Sequence, residues 1–139
     1  MTYSHTCTVR FAHVDRAGIA YFARAFEYAH EAFEELLGAA GLASVFDAEE
    51  WGMPLVHAEA DYRAPMRLGD RIAVRATVAA LSPRTITVAF ELVGEADGRL
   101  RASVRHVHAF VELEGLRPRG APEALLTGLR GLGLLSAEQ

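Results

Sequence analysis

Asp15 stands in a polar turn, His13-Val14-Asp15-Arg16-Ala17-Gly18, that runs into an apolar stretch of helical periodicity. Helices usually start on a Ser, Thr, Asp or Asn, whose side chain satisfies an orphan backbone N–H. None of these stands immediately before the helical run beginning near Phe22. An uncapped start presents unpaired N–H groups and the positive end of the helix dipole. Those groups are expected on about Tyr21, Phe22 and Ala23. Gly18 permits a tight reversal that brings the Asp15 carboxylate toward them. A carboxylate can attack a carbonyl or act as general base on water, and the N–H groups can hold the oxyanion that develops. The alternative is that Asp15 only bonds loop amides as an Asx-turn residue.

Other residues compete for this chemistry. His13, two residues from Asp15 on an extended chain, either shares its face and favours its charged form or is an ordinary strand histidine. Glu27 and Glu31 are possible carboxylates on the helix itself, whereas Glu34 and Glu35 read as solvated surface. His106 and His108 stand two apart and can face one side of a strand, but no matched third ligand accompanies them, so no metal site is expected.

The elements that must position these groups follow from periodicity. Residues 3–14 alternate, with Tyr3, His5, Cys7, Val9 and Phe11 on one side, as in a half-buried strand. From Phe22 the period becomes helical: Phe22, Phe26, Ala29, Phe33, Leu36 and Leu37 form one face. Phe22 and Phe26, with neighbouring apolar residues, are candidates to line a substrate pocket, although packing of one helix face on the sheet is the favoured role for both. Gly38 and Gly41 supply the stop. Residues 42–53 read as a connector. Segments 55–63, 71–80, 85–95 and 100–113 read as strands separated by Leu68-Gly69-Asp70, Ser82-Pro83 and Ala96-Asp97-Gly98, the last three as an antiparallel meander. After Pro118 and Pro122 the spacing of Leu125, Leu126 and Leu129 predicts a short helix. One strand, one helix, then four strands implies an α+β fold with the sheet wrapped on the helix.

Composition narrows the function classes. A chain of 139 residues with 51% hydrophobic residues can bury a real core, and a single domain over residues 1–139 is expected. The net charge of -4 argues against a general nucleic-acid binder. The one cysteine, Cys7, cannot form an internal disulfide or a multi-thiolate site. No signal peptide and no membrane-length apolar run is read, so a cytoplasmic protein is expected. All 14 cations are arginine, which we read as codon bias of a GC-rich genome and which weakens any single arginine as a phosphate ligand.

The stretch Phe11-Ala12-His13-Val14-Asp15-Arg16-Ala17-Gly18-Ile19-Ala20-Tyr21-Phe22 resembles the signature of hotdog-fold acyl-CoA thioesterases of the 4-hydroxybenzoyl-CoA thioesterase type. Leu55 to Pro65, followed by Leu68-Gly69-Asp70, looks like the second strand of that family and the turn after it. The resemblance covers roughly residues 5–113. It implies a hotdog fold, a homo-oligomer (a dimer or a dimer of dimers, hence a homotetramer) with active sites at the subunit interface, and hydrolysis of an acyl-CoA thioester without a cofactor. Asp15 matches the catalytic carboxylate of the family; His57 becomes a pocket residue supplied by the partner subunit. His13 and His30 depart from the family, where acids are common. Of the basic residues that the family sets against coenzyme A phosphates, only Arg84 is matched, with Ser82 and Pro83 at neighbouring basic positions; Arg63, Arg117 and Arg119 are possible substitutes. Two other functions remain: a hotdog hydratase or dehydratase, and a non-catalytic acyl-CoA-binding module. The acyl group is open among aromatic, short-chain and medium-chain acids.

Overall fold

The computed structural model describes residues 1–42 and 50–136. Five strands form one antiparallel sheet: β1 (Tyr3–Thr8), β3 (Leu55–Tyr62), β4 (Arg71–Leu81), β5 (Thr85–Gly94) and β6 (Leu100–Ala109), in the order β1-β4-β5-β6-β3. The meander β4-β5-β6 is held by successive antiparallel ladders, and β3 joins its far side through β6. Two short strands, β2 (Trp51–Gly52) and β7 (Val111–Glu112), pair separately. Two helices complete the α+β fold, α1 (Arg24–Ala39) and α2 (Glu123–Gly131).

Alternation along the meander sorts its side chains. Ile72, Val74 and Ala76 on β4, Val88 and Phe90 on β5, and Ala102 and Val104 on β6 are all at most 1% exposed. They meet the apolar face of α1, where Ala25, Ala29 and Ala32 are fully buried. Their small side chains let the helix backbone lie close to the sheet, while Phe33, Leu36 and Leu37 fill the space beyond. Each fully buried Leu or Phe here contributes about 1.5–3 kcal/mol of burial energy. At the C-terminus the Leu42 N–H donates to the Leu37 carbonyl and the Gly41 N–H to that of Gly38. That is a Schellman motif, and Gly41 at φ +83° supplies its left-handed residue.

The structure corrects four expectations. The first strand ends at Thr8 rather than residue 14, because Val9 turns to bond the Asp70 carbonyl and residues Phe11–His13 form a 3₁₀ turn. Phe11 is consequently 82% exposed rather than packed. The helix starts at Arg24, so Phe22 lies ahead of it at 59% exposed, outside the core assigned to it. The last strand breaks at the buried Phe110, whose N–H donates to the Arg84 carbonyl. Beyond that break the chain leaves the large sheet as β7 and pairs with Trp51–Gly52, which the sequence reading left in the connector. Of that connector, residues 43–49 lie outside the described residues. Among the described residues no helix is long and apolar enough to cross a membrane.

Candidate active site

The Asp15 turn is a small antiparallel clasp. Gly18, at φ +76°, reverses the chain, the Asp15 N–H donates to the Ile19 carbonyl (3.0 Å), and Val14 pairs with Ala20. The Gly18 N–H donates to the Asp15 carbonyl at 3.0 Å, and the Gly18 carbonyl accepts from the Leu68 N–H at 2.9 Å, which pins the turn to the Leu68-Gly69-Asp70 segment. The Asp15 Oδ1 accepts from the Ala17 N–H at 2.8 Å and the Ile19 N–H at 3.3 Å. The Asx-turn role is therefore real for one oxygen. The other, Oδ2, makes no hydrogen bond to the described residues, and Asp15 is exposed.

The helix start is uncapped, as the sequence implied: Ala23 occupies the N-cap with no side-chain bond. Its N–H groups are not distributed as expected, however. The Tyr21 N–H is consumed by the His13 carbonyl at 2.8 Å, so Tyr21 is not an available donor. The N–H groups of Phe22 and Ala23 have no acceptor among the described residues.

His13 does not touch the Asp15 side chain. Its Nδ1 accepts from the Arg10 N–H at 3.2 Å and lies 2.8 Å from the Tyr28 Oη, which ties the turn to α1 instead. Burial pushes the Tyr28 hydroxyl up to about 12, so it stays protonated beside that nitrogen. His57 is exposed on β3 and pairs with Glu59 at 3.1 Å. Both helix rivals are engaged: Glu27 with Arg24 at 2.8 Å and Glu31 with His5 at 2.8 Å. Arg84 is exposed on the β4–β5 turn with no acidic partner among the described residues, while Arg117 lies 3.9 Å from Glu112.

Two features escaped the sequence reading. Tyr62, 40 residues from Phe22, donates its hydroxyl to the Phe22 carbonyl and so ties edge strand β3 to the helix start; burial raises its pKa. His30 meets His106 and His108 beneath α1, with ring centroids 6.2–6.4 Å apart. The alternation of His106 and His108 was legible, but their junction with His30 depends on how the helix lies over β6. No group of three or more His, Cys, Asp or Glu among the described residues is arranged to hold a metal ion. Two cavities flank this cluster. One, of about 500 Å³, lies among His30, Phe33, Trp51, Met53 and His108; the other, of about 410 Å³, among Phe26, His30, Leu55 and His106. Asp15 lines neither.

Comparison with known proteins converges on one family. A 1,4-dihydroxy-2-naphthoyl-CoA hydrolase of Rippkaea orientalis is 36% identical over 108 residues, 74% of this chain and 78% of that protein. The crystal structure of a 1,4-dihydroxy-2-naphthoyl-CoA thioesterase from Synechocystis superposes with a TM-score of 0.87 at 27% identity, covering 96% of this chain and 98% of that one. The dynemicin thioesterase, whose structures capture polyene binding, superposes with a TM-score of 0.83 at 27% identity over 94% and 96% of the two chains. Residues 9–129 match the family model described as the thioesterase-like superfamily, and the chain belongs to that superfamily.

Proposed function

We propose that this protein is an acyl-CoA thioesterase in which Asp15 carries out hydrolysis at the uncapped start of α1. The observation that carries the reading is the division of labour within the carboxylate: Oδ1 is fixed by two backbone N–H groups and Oδ2 is left without a protein partner. A fixed carboxylate with one free oxygen suits direct attack on the thioester carbonyl, or deprotonation of a water that attacks it. The carbonyl oxygen becomes an oxyanion, for which the Phe22 and Ala23 N–H groups are unoccupied donors. Collapse breaks the C–S bond and releases coenzyme A as thiolate. On the nucleophilic route, water then cleaves the resulting anhydride and restores Asp15.

The hotdog arrangement, with the sheet wrapping α1, supplies the rest of the site through a second copy. β3 is an edge strand on which Leu55, Val56 and Tyr62 are 45–57% exposed, a surface that a monomer would leave open to association. Pairing of two β3 edges would bring the His57 strand and the Leu55-lined cavity of one copy toward the Asp15 turn of the other. Such a dimer, or a pair of dimers, accounts for a carboxylate that borders neither cavity of its own chain. Arg84 is the candidate contact for coenzyme A phosphate, since it is exposed and not neutralised by an acid.

Release of free thiol from a panel of acyl-CoAs, with Asp15→Asn as control, tests the reading. Hydrolysis of at least one thioester that the variant does not hydrolyse is the expected result. Stoichiometric acyl-CoA binding without any thiol release would favour a binding module instead. Light scattering should give at least twice the 15.1 kDa chain mass at micromolar concentration.

A further inference from the structure

The backbone donors at the start of α1 lie in a stretch that the core does not hold. The chain up to Tyr21 is pinned by backbone bonds, the Ala20 N–H to the Met66 carbonyl at 2.7 Å and the Tyr21 N–H to the His13 carbonyl at 2.8 Å. The core is regained at Ala25, which is fully buried. Between these anchors Phe22 is 59% exposed, with its ring set against that of Tyr21 at 4.6 Å. The aim of the Phe22 and Ala23 N–H groups therefore depends on the hydrogen bonds made by their own peptide units.

A peptide unit is planar, and in the trans form its C=O and N–H point in opposite directions, so a bond that fixes the carbonyl also aims the N–H. The Phe22 N–H shares its unit with the Tyr21 carbonyl, which accepts from the Arg24 N–H at 2.8 Å. That support is local. The Ala23 N–H shares its unit with the Phe22 carbonyl, and there the helix supplies little. The first turn is wound tightly: the N–H groups of Arg24, Ala25 and Phe26 each bond three residues back. The Phe26 N–H, which a regular α-helix would send to the Phe22 carbonyl, goes to that of Ala23 at 3.2 Å. What the first turn gives the Phe22 carbonyl is the Ala25 N–H at a long 3.4 Å.

Tyr62 fills that gap from another element. Its hydroxyl donates to the Phe22 carbonyl. The residue ends β3, and its backbone stands opposite the fully buried Ala102 of β6, so the phenol is held by the sheet rather than by the helix it serves. Burial raises its pKa above the ordinary 10.0, which keeps the hydroxyl protonated and donating at neutral pH. A hydrogen bond to a carbonyl also polarises the peptide unit and strengthens its N–H as a donor. Tyr62 thus both aims and polarises the Ala23 N–H.

We propose that Tyr62 is a positioning residue for thioester hydrolysis, acting on the oxyanion through the Phe22–Ala23 peptide. The assignment rests on the reading of Phe22 and Ala23 as oxyanion donors and adds to it the side chain that sets one of them. Charge on the thioester oxygen grows in the transition state, so the contribution of Tyr62 falls on the chemical step rather than on binding of acyl-CoA. Removing an oxyanion donor outright costs about 10²–10³ in kcat, and loosening one that stays in place should cost less, about tenfold.

The test compares the natural protein with Tyr62→Phe, which removes the hydroxyl and keeps the ring. It uses an acyl-CoA that the natural protein hydrolyses and the matching thioether, in which a methylene replaces the carbonyl. The variant should lose about tenfold in single-turnover rate and keep its affinity for the thioether. In Asp15→Asn, which holds the thioester unreacted, the infrared stretch of a carbon-13-labelled thioester carbonyl should fall on binding. Adding Tyr62→Phe should make that fall smaller. Replacing Tyr62 by 3-fluorotyrosine, a stronger donor of nearly the same shape, should make it larger. A carbonyl frequency unmoved by Tyr62→Phe would overturn the assignment whatever the rate, as would a rate loss matched by an equal loss of thioether affinity. If Tyr62→Phe does not fold, the fluorinated protein decides, and a frequency equal to that of the unfluorinated protein overturns the assignment. In all these cases natural turnover leaves the hydrolase reading standing. A natural protein that binds the thioether but releases thiol from no acyl-CoA sinks both.

Discussion

At its start, α1 leaves two backbone N–H groups and one oxygen of Asp15 without a partner among the described residues, whereas along its middle turns it covers His106 and His108, of whose four ring nitrogens only the His108 Nδ1 has a hydrogen-bond partner among the described residues. Both regions contain unsatisfied polar atoms, but the cost differs. Exposed groups at the start can be hydrated, so leaving them free costs little and keeps them available for reaction. Buried histidines cannot be hydrated in that way, and the fold holds them neutral. The first region is where we place the reaction, and in the second the imidazoles are held by aromatic packing. The remainder of α1 is ordinary packing on the sheet.

The predictions separate these two regions. Asp15→Asn should lower kcat at least 10²-fold with unchanged circular dichroism. The amide keeps the Oδ1 acceptor that fixes the turn but removes the nucleophile or base. Near-normal steady-state turnover in the variant would move the chemistry away from the turn.

The buried region should reveal itself by acid. His106 falls from its ordinary value of 6.5 to about 4 because burial disfavours its charge, with His108 and His30 adding repulsion. The folded state thus binds that proton more weakly than the unfolded chain. The stability contributed is complete above pH 6.5 and is lost as pH falls toward 4, on the order of 3 kcal/mol in all. Glu27, Glu31 and Glu34 border the same cavity as His106. Denaturant melts across pH 4–7 should show this loss, and His106→Phe should flatten it; parallel curves for the two proteins would contradict it.

Gly18→Ala should destabilise by about 1–2 kcal/mol, the cost of a side chain in left-handed backbone. No atom lies within 4 Å of the added Cβ, so the φ of +76° is the whole cause. A chemical melt that leaves stability unaltered would mean the turn relaxes freely.

The smallest effect should come from Arg84→Ala. If its guanidinium contacts a phosphate remote from the thioester, KM should rise several-fold, about 1 kcal/mol, with little change in kcat and less effect at high salt. Pantetheine thioesters, which lack the nucleotide, should be indifferent. Equal losses on both substrates would assign Arg84 to the fold, where its carbonyl already accepts from Phe110.

The sequence made the meander legible, because Pro83 and Gly98 mark its turns and the alternation between them has only one buried face. The face and C-terminal stop of α1 were legible for the same local reasons, as was the missing cap. What stayed hidden depends on distant contacts. Val9 leaves its strand because Asp70 offers a carbonyl, and Phe110 breaks a continuous apolar run to reach Arg84. Tyr28 claims His13 from one turn inside the helix, and Tyr62 claims the Phe22 carbonyl from 40 residues away. The pairing of His106 with His108 was visible at spacing two, but the third imidazole, His30, lies 76 residues earlier than His106 and arrives only through packing. The Asp15 turn was legible because its hydrogen bonds are local to one segment.

Single-turnover thiol release, with enzyme in excess over one acyl-CoA that the natural protein hydrolyses, isolates the chemical step from product release. It should be run on the natural protein, Asp15→Asn, Glu27→Gln and Glu31→Gln. The account predicts that the two glutamine variants release thiol within a few-fold of the natural rate, while Asp15→Asn is slowed at least 10²-fold with the substrate still bound. A burst of normal rate from Asp15→Asn, with the loss appearing instead in Glu27→Gln or Glu31→Gln, would place the reacting carboxylate on the helix and contradict the account.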